Sequence, residues 1–307
     1  MIKIPCLYGV ILFCLALPAT GQRIDKPLAV IPFRYDGTRI LFPVTVNGSS
    51  DTLHFLFDSG CEVNLLSLDK AHRLGLQIED DAGLSGWRKE MTMMPKAQAR
   101  SINMAALTIP YPEFYLQDLA GSAMEGIPVD GVMGYDLLKR YIVKIDFHRR
   151  EMSIYQSGSF RYPAGSELLK LAMNYKTPVV EASLTDDAGQ VFHSTYHVIT
   201  GGDFGLLLNG AYVKKYGLDT RLQKKGTVIR QDLLQPVTYM QCVVPRFTIG
   251  QNNFDNVPAM YSAEVNDASP DKEIAGAIGA WVWKYFTLII NLPGKELCLS
   301  NISGKKE

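Results

Sequence analysis

Asp58 is the residue of this sequence best placed for acid–base chemistry. It closes the apolar run Phe55-Leu56-Phe57 and is followed by Ser59 and Gly60. An acid at the end of a β-prone strand sits on a tight turn, where glycine lets neighbouring backbone come close. The hydroxyl of Ser59 can hydrogen-bond across to a counterpart. Asp-Ser-Gly by itself also describes an ordinary turn. Its weight comes from position, after an apolar strand and paired with a later apolar-apolar-glycine segment, Val132-Met133-Gly134.

The elements that must hold Asp58 occur twice along the chain. The first copy runs from Phe55 through Gly60 to Leu65-Leu66-Ser67, then into a short helical pattern that stops at Gly75. The second runs from Tyr196 through Ile199-Thr200-Gly201-Gly202 to Leu206-Leu207-Leu208-Asn209, then into a helical pattern that stops at Gly217. Ser67 and Asn209 are the expected N-caps, and the two glycines the expected stops. A second matched pair follows downstream. Gly131-Val132-Met133-Gly134 leads through a short helix into Ile142-Val143-Lys144-Ile145-Asp146, and Gly276-Ala277-Ile278-Gly279 leads through another into Leu288-Ile289-Ile290-Asn291. The pairs Asp58/Ile199, Gly75/Gly217, Gly134/Gly279 and Asp146/Asn291 keep an offset that drifts only from 141 to 145 residues. Such order argues for an internal duplication, with insertions absorbed in loops.

Between these units the text is β. Asp36-Gly37 and Asn47-Gly48 mark tight turns between short apolar strands, and helical patterns are few. The polar stretch 156–167, with Gly158, Pro163 and Gly165, is the expected boundary between two halves, residues 22–160 and 161–307. Two copies of a β unit, each with one face to bury, would pack about a pseudo-two-fold axis and leave a cleft between them.

Composition excludes several classes of function. Formal net charge is zero, with 31 basic and 31 acidic residues. No basic field therefore invites nucleic acid or an anionic membrane surface. Residues 1–21 read as a signal peptide, with Lys3, an apolar stretch over 4–17 and small Ala19 and Gly21 before the expected cleavage. That places the protein outside the cytoplasm, in a periplasm or beyond the cell. The apolar stretch is shorter than the roughly 20 residues a membrane span needs. Cys6 and Cys14 leave with the leader. The remaining Cys61, Cys242 and Cys298 are too few and too odd in number for a disulfide framework, although one bridge is open.

These residues resemble the aspartic-peptidase superfamily, the pepsins and retropepsins, and in particular secreted bacterial retropepsin-like proteins. Phe57-Asp58-Ser59-Gly60, Asp130-Gly131-Val132-Met133-Gly134, Thr200-Gly201-Gly202 and Ala277-Ile278-Gly279 carry the likeness. It implies a mainly β, two-lobed acid-protease fold with a few short helices and a central cleft. It also implies an extended peptide or protein as substrate and a hairpin flap over it. No cofactor or metal is expected, and the sequence leaves the oligomeric state open, with a monomer as the expectation. In that family each lobe supplies one aspartate. Two carboxyls a few ångströms apart share one proton. The ionised one takes a proton from the attacking water and the protonated one donates to the peptide carbonyl. Carried over here, Asp58 is the retained catalytic aspartate, supported by Ser59 and Gly60. Thr200 and Gly201 match in the second lobe, but Ile199 stands where the second aspartate belongs. The implied activity is peptide-bond hydrolysis by Asp-activated water. The alternative is an inactive descendant that binds an extended segment. An isoleucine beside Asp58 desolvates it, so its pKa is expected to rise through apolar burial.

Other residues offer less. Asp203 and Glu62 lie four residues after Ile199 and Asp58, and both are expected to be solvated loop acids. His54, His72, His148, His193 and His197 show no metal-ligand spacing joined by an acid or cysteine, so surface or core roles are expected. Cys61 is expected to be a small buried hydrophobe rather than a reactive thiol. Trp87 falls where the flap should lie.

Overall fold

The computed structural model describes residues 26–85, 91–158, 160–231, 236–262 and 273–301. The expected leader, Cys6, Cys14 and Trp87 lie outside the described residues. The chain is mainly β, with 26 strands and five short helices among the described residues. Strands spanning 34–117 and 131–133 build a ten-stranded sheet, and strands spanning 172–278 build an eight-stranded one. The eight-stranded sheet closes on itself, because Ser183–Thr185 pairs with both His193–Val191 and Thr248–Arg246.

The duplication is visible strand by strand. Leu53–Phe57 runs parallel to Gly131–Met133, which pairs antiparallel with Leu65–Ser67. Val191–Val198 runs parallel to Ile274–Ile278, which pairs antiparallel with Leu206–Leu208. Leu65–Ser67 and Leu206–Leu208 then take a further parallel neighbour each, Glu113–Gln117 and Asn252–Ser262. A third, six-stranded sheet joins the halves. At its centre Tyr141–Asp146 pairs antiparallel with Phe286–Asn291, Val143 opposite Ile290 and Ile145 opposite Leu288. Val143 matches Leu288 in the repeat and Ile145 matches Ile290, so each of these pairs maps onto the other, as a two-fold axis requires.

Alternation explains why these segments are strands. Leu53, Phe55 and Phe57 are buried while His54 and Leu56 are half-buried, the period of a strand with one face on a core. One continuous apolar cluster draws on both halves, from Ile31 and Phe57 to Trp283 and Leu299. The expected caps behave differently. Asn209 Oδ1 accepts the Ala211 N–H at 3.0 Å, and Gly217 ends the helix Gly210–Tyr216 in a left-handed conformation. Ser67 stands before the helix Leu68–Arg73 but its side chain makes no capping bond, and that helix ends at Leu74, one residue before left-handed Gly75. The stretch expected as a purely polar boundary also packs. Phe160 and Tyr162 lie with Tyr155 over Ile142, Ile289 and Cys298, and the Tyr162 hydroxyl donates to Glu296 at 2.6 Å. The three cysteines are unbridged. Among the described residues no helix is long and apolar enough to cross a membrane.

One core position breaks the repeat. Tyr196 occupies in the second half the slot that Phe55 fills in the first. It is fully buried, and its hydroxyl has no hydrogen-bond partner among the described residues. A buried oxygen without a partner is a net cost. Tyr196→Phe is therefore expected to stabilise the protein by about 1 kcal/mol, seen as a rise of roughly 2–4 °C in melting temperature. An unchanged or lower melting temperature would show that the hydroxyl has a partner in solution.

Candidate functional site

Two turns meet where the halves touch. Asp58 follows the strand Leu53–Phe57, and Ile199 follows the strand Val191–Val198. The segments behind them hold both in matching ways. The Asp58 amide donates to the Met133 carbonyl at 3.0 Å, and the Ile199 amide to the Ile278 carbonyl at 3.0 Å.

Ser59 and Thr200 lock the turns together. Ser59 Oγ donates to the Val198 carbonyl at 2.6 Å and accepts the Thr200 amide at 3.1 Å. In return, Thr200 Oγ1 accepts the Ser59 amide at 2.9 Å. Both side chains are fully buried, so these bonds form away from competing water. The two turns are thereby fixed against each other by residues 141 positions apart.

Gly60 and Gly201 let the turns close. A Cβ on Gly201 would lie 2.6 Å from both Cβ and Cγ of Asp58. A Cβ on Gly60 would lie 2.2 Å from Cδ1 of Ile199. Each side chain thus leans over the glycine of the opposite turn. Ile199 occupies the mirror image of the Asp58 position, and the floor of the site carries an acid on one side only.

Asp58 is held by backbone alone. Its Oδ1 accepts the Gly60 amide at 2.9 Å and the Gly201 amide at 3.1 Å. Burial nevertheless outweighs these bonds, and the carboxyl is held above the ordinary aspartate range. The residue keeps some solvent contact. Dense protein around the carboxyl disfavours its charged form. A raised acid favours folding while protonated, and the unfolded chain releases the proton first as pH rises. Stability from this group is full below the unfolded value of about 3.9 and is lost as pH rises through the folded one. Asp58→Asn keeps an acceptor for Gly60 and Gly201. It is expected to flatten this slope and to melt higher than the parent at neutral pH. Parallel melting curves against pH for the two proteins would contradict that.

The neighbouring acids do not complete a pair. Asp203 is exposed, as expected of a loop acid, yet it forms an ion pair with Arg230. Glu62 departs from its expected solvated state. It is half-buried, receives the Thr177 hydroxyl at 3.4 Å and is held above its ordinary pKa by burial, partly offset by Lys176. Asp130 is buried, but its Oδ2 accepts the His54 amide at 2.9 Å and its Oδ1 lies 3.3 Å from Lys70 Nζ, so it ties strands together. The Cys61 thiol donates to the Val63 carbonyl, and burial with Asp58 nearby pushes its pKa well up. It is no thiolate. Among the described residues, no group of three or more histidine, cysteine or acidic side chains is placed to hold a metal. Sequence reasoning missed the Arg230–Asp203 and Thr177–Glu62 contacts. Both join segments remote in sequence, and no local signal announces them.

The arrangement has known counterparts. Residues 42–137 match the model of a family described as aspartyl protease. Over the whole chain the fold is similar to the crystal structure of the aspartic proteinase from Irpex lacteus, with a TM-score of 0.56 and 12% identity. That likeness covers 90% of this chain and 97% of the other. No curated protein matches the sequence. The family match thus covers residues 42–137, and over nearly the whole chain the likeness to an aspartic proteinase is one of fold.

Proposed function

We propose that the protein binds an extended peptide or protein segment across the turns at Asp58 and Ile199, and that it does not hydrolyse it by a two-carboxyl mechanism. The observation that carries this reading is Ile199 in the mirror position of Asp58, with Asp203 and Glu62 engaged elsewhere. An isoleucine neither stores nor donates a proton, so the side chain in the mirror position of Asp58 cannot protonate a peptide carbonyl as water attacks. Strand-like backbone pairing and side-chain pockets are all that binding requires. The leader over residues 1–21 supports export, and the neutral net charge supports a peptide ligand rather than nucleic acid.

The match to aspartyl proteases favours a second reading, turnover with Asp58 alone activating water. Incubation with mixed peptides from acidic to neutral pH separates the two. No cleavage is expected. Cleavage that disappears in Asp58→Ala would establish a peptidase and end the non-catalytic reading.

A further inference from the structure

Each half carries a hairpin at the matching place in the repeat. In the first half its arms are Ile78–Ser85 and Met91–Gln98, in the second Gln223–Gln231 and Pro236–Ile249. Met94 pairs with Ala82 and Thr92 with Leu84, while Tyr239 pairs with Val228 and Val237 with Arg230. The offset of 145 that relates Gly134 to Gly279 also relates Met94 to Tyr239 and Thr92 to Val237. By pairing, Ala82 then matches Val228 and Leu84 matches Arg230. In the turns, the offset of 141 matches Glu62 with Asp203 and Val63 with Phe204. The second half differs from the first at every one of these places. Val228, Val237 and Tyr239 pack with Phe204, Leu207 and Met260 in one apolar cluster that joins the hairpin to the turn. Ala82, Thr92, Met94 and Val63 are each smaller or more polar than their counterparts. Arg230 forms an ion pair with Asp203, which Leu84 and Glu62 cannot copy. Phe204 also lies over its own turn, since a Cβ on Gly202 would stand 2.3 Å from its ring.

We propose that the Phe204 cluster and the Arg230–Asp203 ion pair latch the second hairpin onto its turn, so that the chain itself closes the Ile199 side of the site and opens it when the latch is broken. The two parts of the latch differ in weight. Contact with Phe204 takes an aromatic ring out of water and supplies most of the hold. The ion pair is partly exposed on both sides. It therefore shifts the opening equilibrium by only about three- to fivefold. Salt screens an exposed pair, which makes this part of the latch responsive to ionic strength. At the matching positions of the first half, Leu84 carries no charge and Glu62 receives the Thr177 hydroxyl instead. The latch thus belongs to the side of the floor that lacks the acid.

Amide hydrogen exchange of the full folded chain, followed peptide by peptide, tests the latch without any ligand. Asp203→Asn is expected to speed exchange in the arms 223–231 and 236–249 by about three- to fivefold at low salt, and to lose that effect in about 1 M salt. Arg230→Gln is expected to match it, and the double variant to add nothing, because both changes break one contact. Phe204→Val, which copies the first half, is expected to speed the same arms by about tenfold or more, with melting curves confirming that each variant folds. Access is read separately. Ile199→Cys is alkylated with iodoacetamide in the parent and in the Asp203→Asn background, and the peptide that contains position 199 is weighed. Alkylation is expected to quicken by the same factor as the arms. Arm exchange that ignores Asp203→Asn at low salt, effects of the two single variants that simply add, or alkylation at position 199 that does not follow the arms overturns the proposal.

Discussion

Ile199→Asp is expected to give the protein peptidase activity at acid pH above any that the parent shows. The reason lies in how completely the second turn is already built. Ile199 hangs from the Ile278 carbonyl as Asp58 hangs from Met133. Gly60 faces Ile199 as Gly201 faces Asp58. By the same symmetry a carboxyl at position 199 would meet the Gly201 and Gly60 amides, the two that now serve Asp58 Oδ1. Two carboxyls sharing those donors cannot both ionise, so they would titrate as a pair with one value lowered and one raised. Between those values one acid is charged and the other protonated, which is the state that activates water and donates to a carbonyl. A positioned acid–base pair of this kind contributes about 10²–10⁴-fold in rate. Turnover of a fluorogenic peptide library against pH reads the outcome. A bell-shaped profile that vanishes when Asp58→Asn is added is the expected result. A folded Ile199→Asp protein with no activity at any pH would mean that the turns are not catalytic mirrors.

Much of this was legible from residues alone, for reasons that differ by element. The strand Leu53–Phe57 announces itself by its apolar, β-prone run Phe55-Leu56-Phe57, and its partner Gly131–Met133 by the glycines around it. The repeat offset of 141 residues sets Ile199 opposite Asp58. Ser59 and Thr200 were readable as a cross-lobe pair because hydroxyls on matched turns have few other uses. What sequence did not show is long-range and chemically unspecific. A threonine hydroxyl reaching Glu62 and an arginine on a distant hairpin reaching Asp203 depend on which loops pass nearby. The aromatic strap of Phe160 and Tyr162 lay hidden in a stretch whose glycines, serines and proline read as linker.

Gly134→Ala is expected to destabilise the fold by about 3–5 kcal/mol, near the upper end for single substitutions. A Cβ at Gly134 would lie 1.9 Å from the Asp58 carbonyl oxygen and 3.0 Å from that of Cys61. Both obstacles are backbone, so no side chain can swing aside. Neither carbonyl can move alone either. The Asp58 carbonyl accepts the Cys61 amide, the Cys61 carbonyl accepts the Tyr135 amide, and the Asp58 amide is itself bonded to Met133, each at 3.0 Å. The methyl group would push the turn away from the segment behind it and break that set together. Gly210→Ala serves as the matched control. It stands at the start of the helix Gly210–Tyr216, and its nearest obstacle is 3.7 Å away at the Ser262 carbonyl. There alanine should be neutral or stabilise by roughly 0.5–1 kcal/mol through helix propensity. Denaturant titration of both variants measures the contrast. If Gly134→Ala were as stable as Gly210→Ala, the close approach behind Asp58 would have slack. The apolar-apolar-glycine segment could then not be what fixes the carboxyl in its place on the floor of the site.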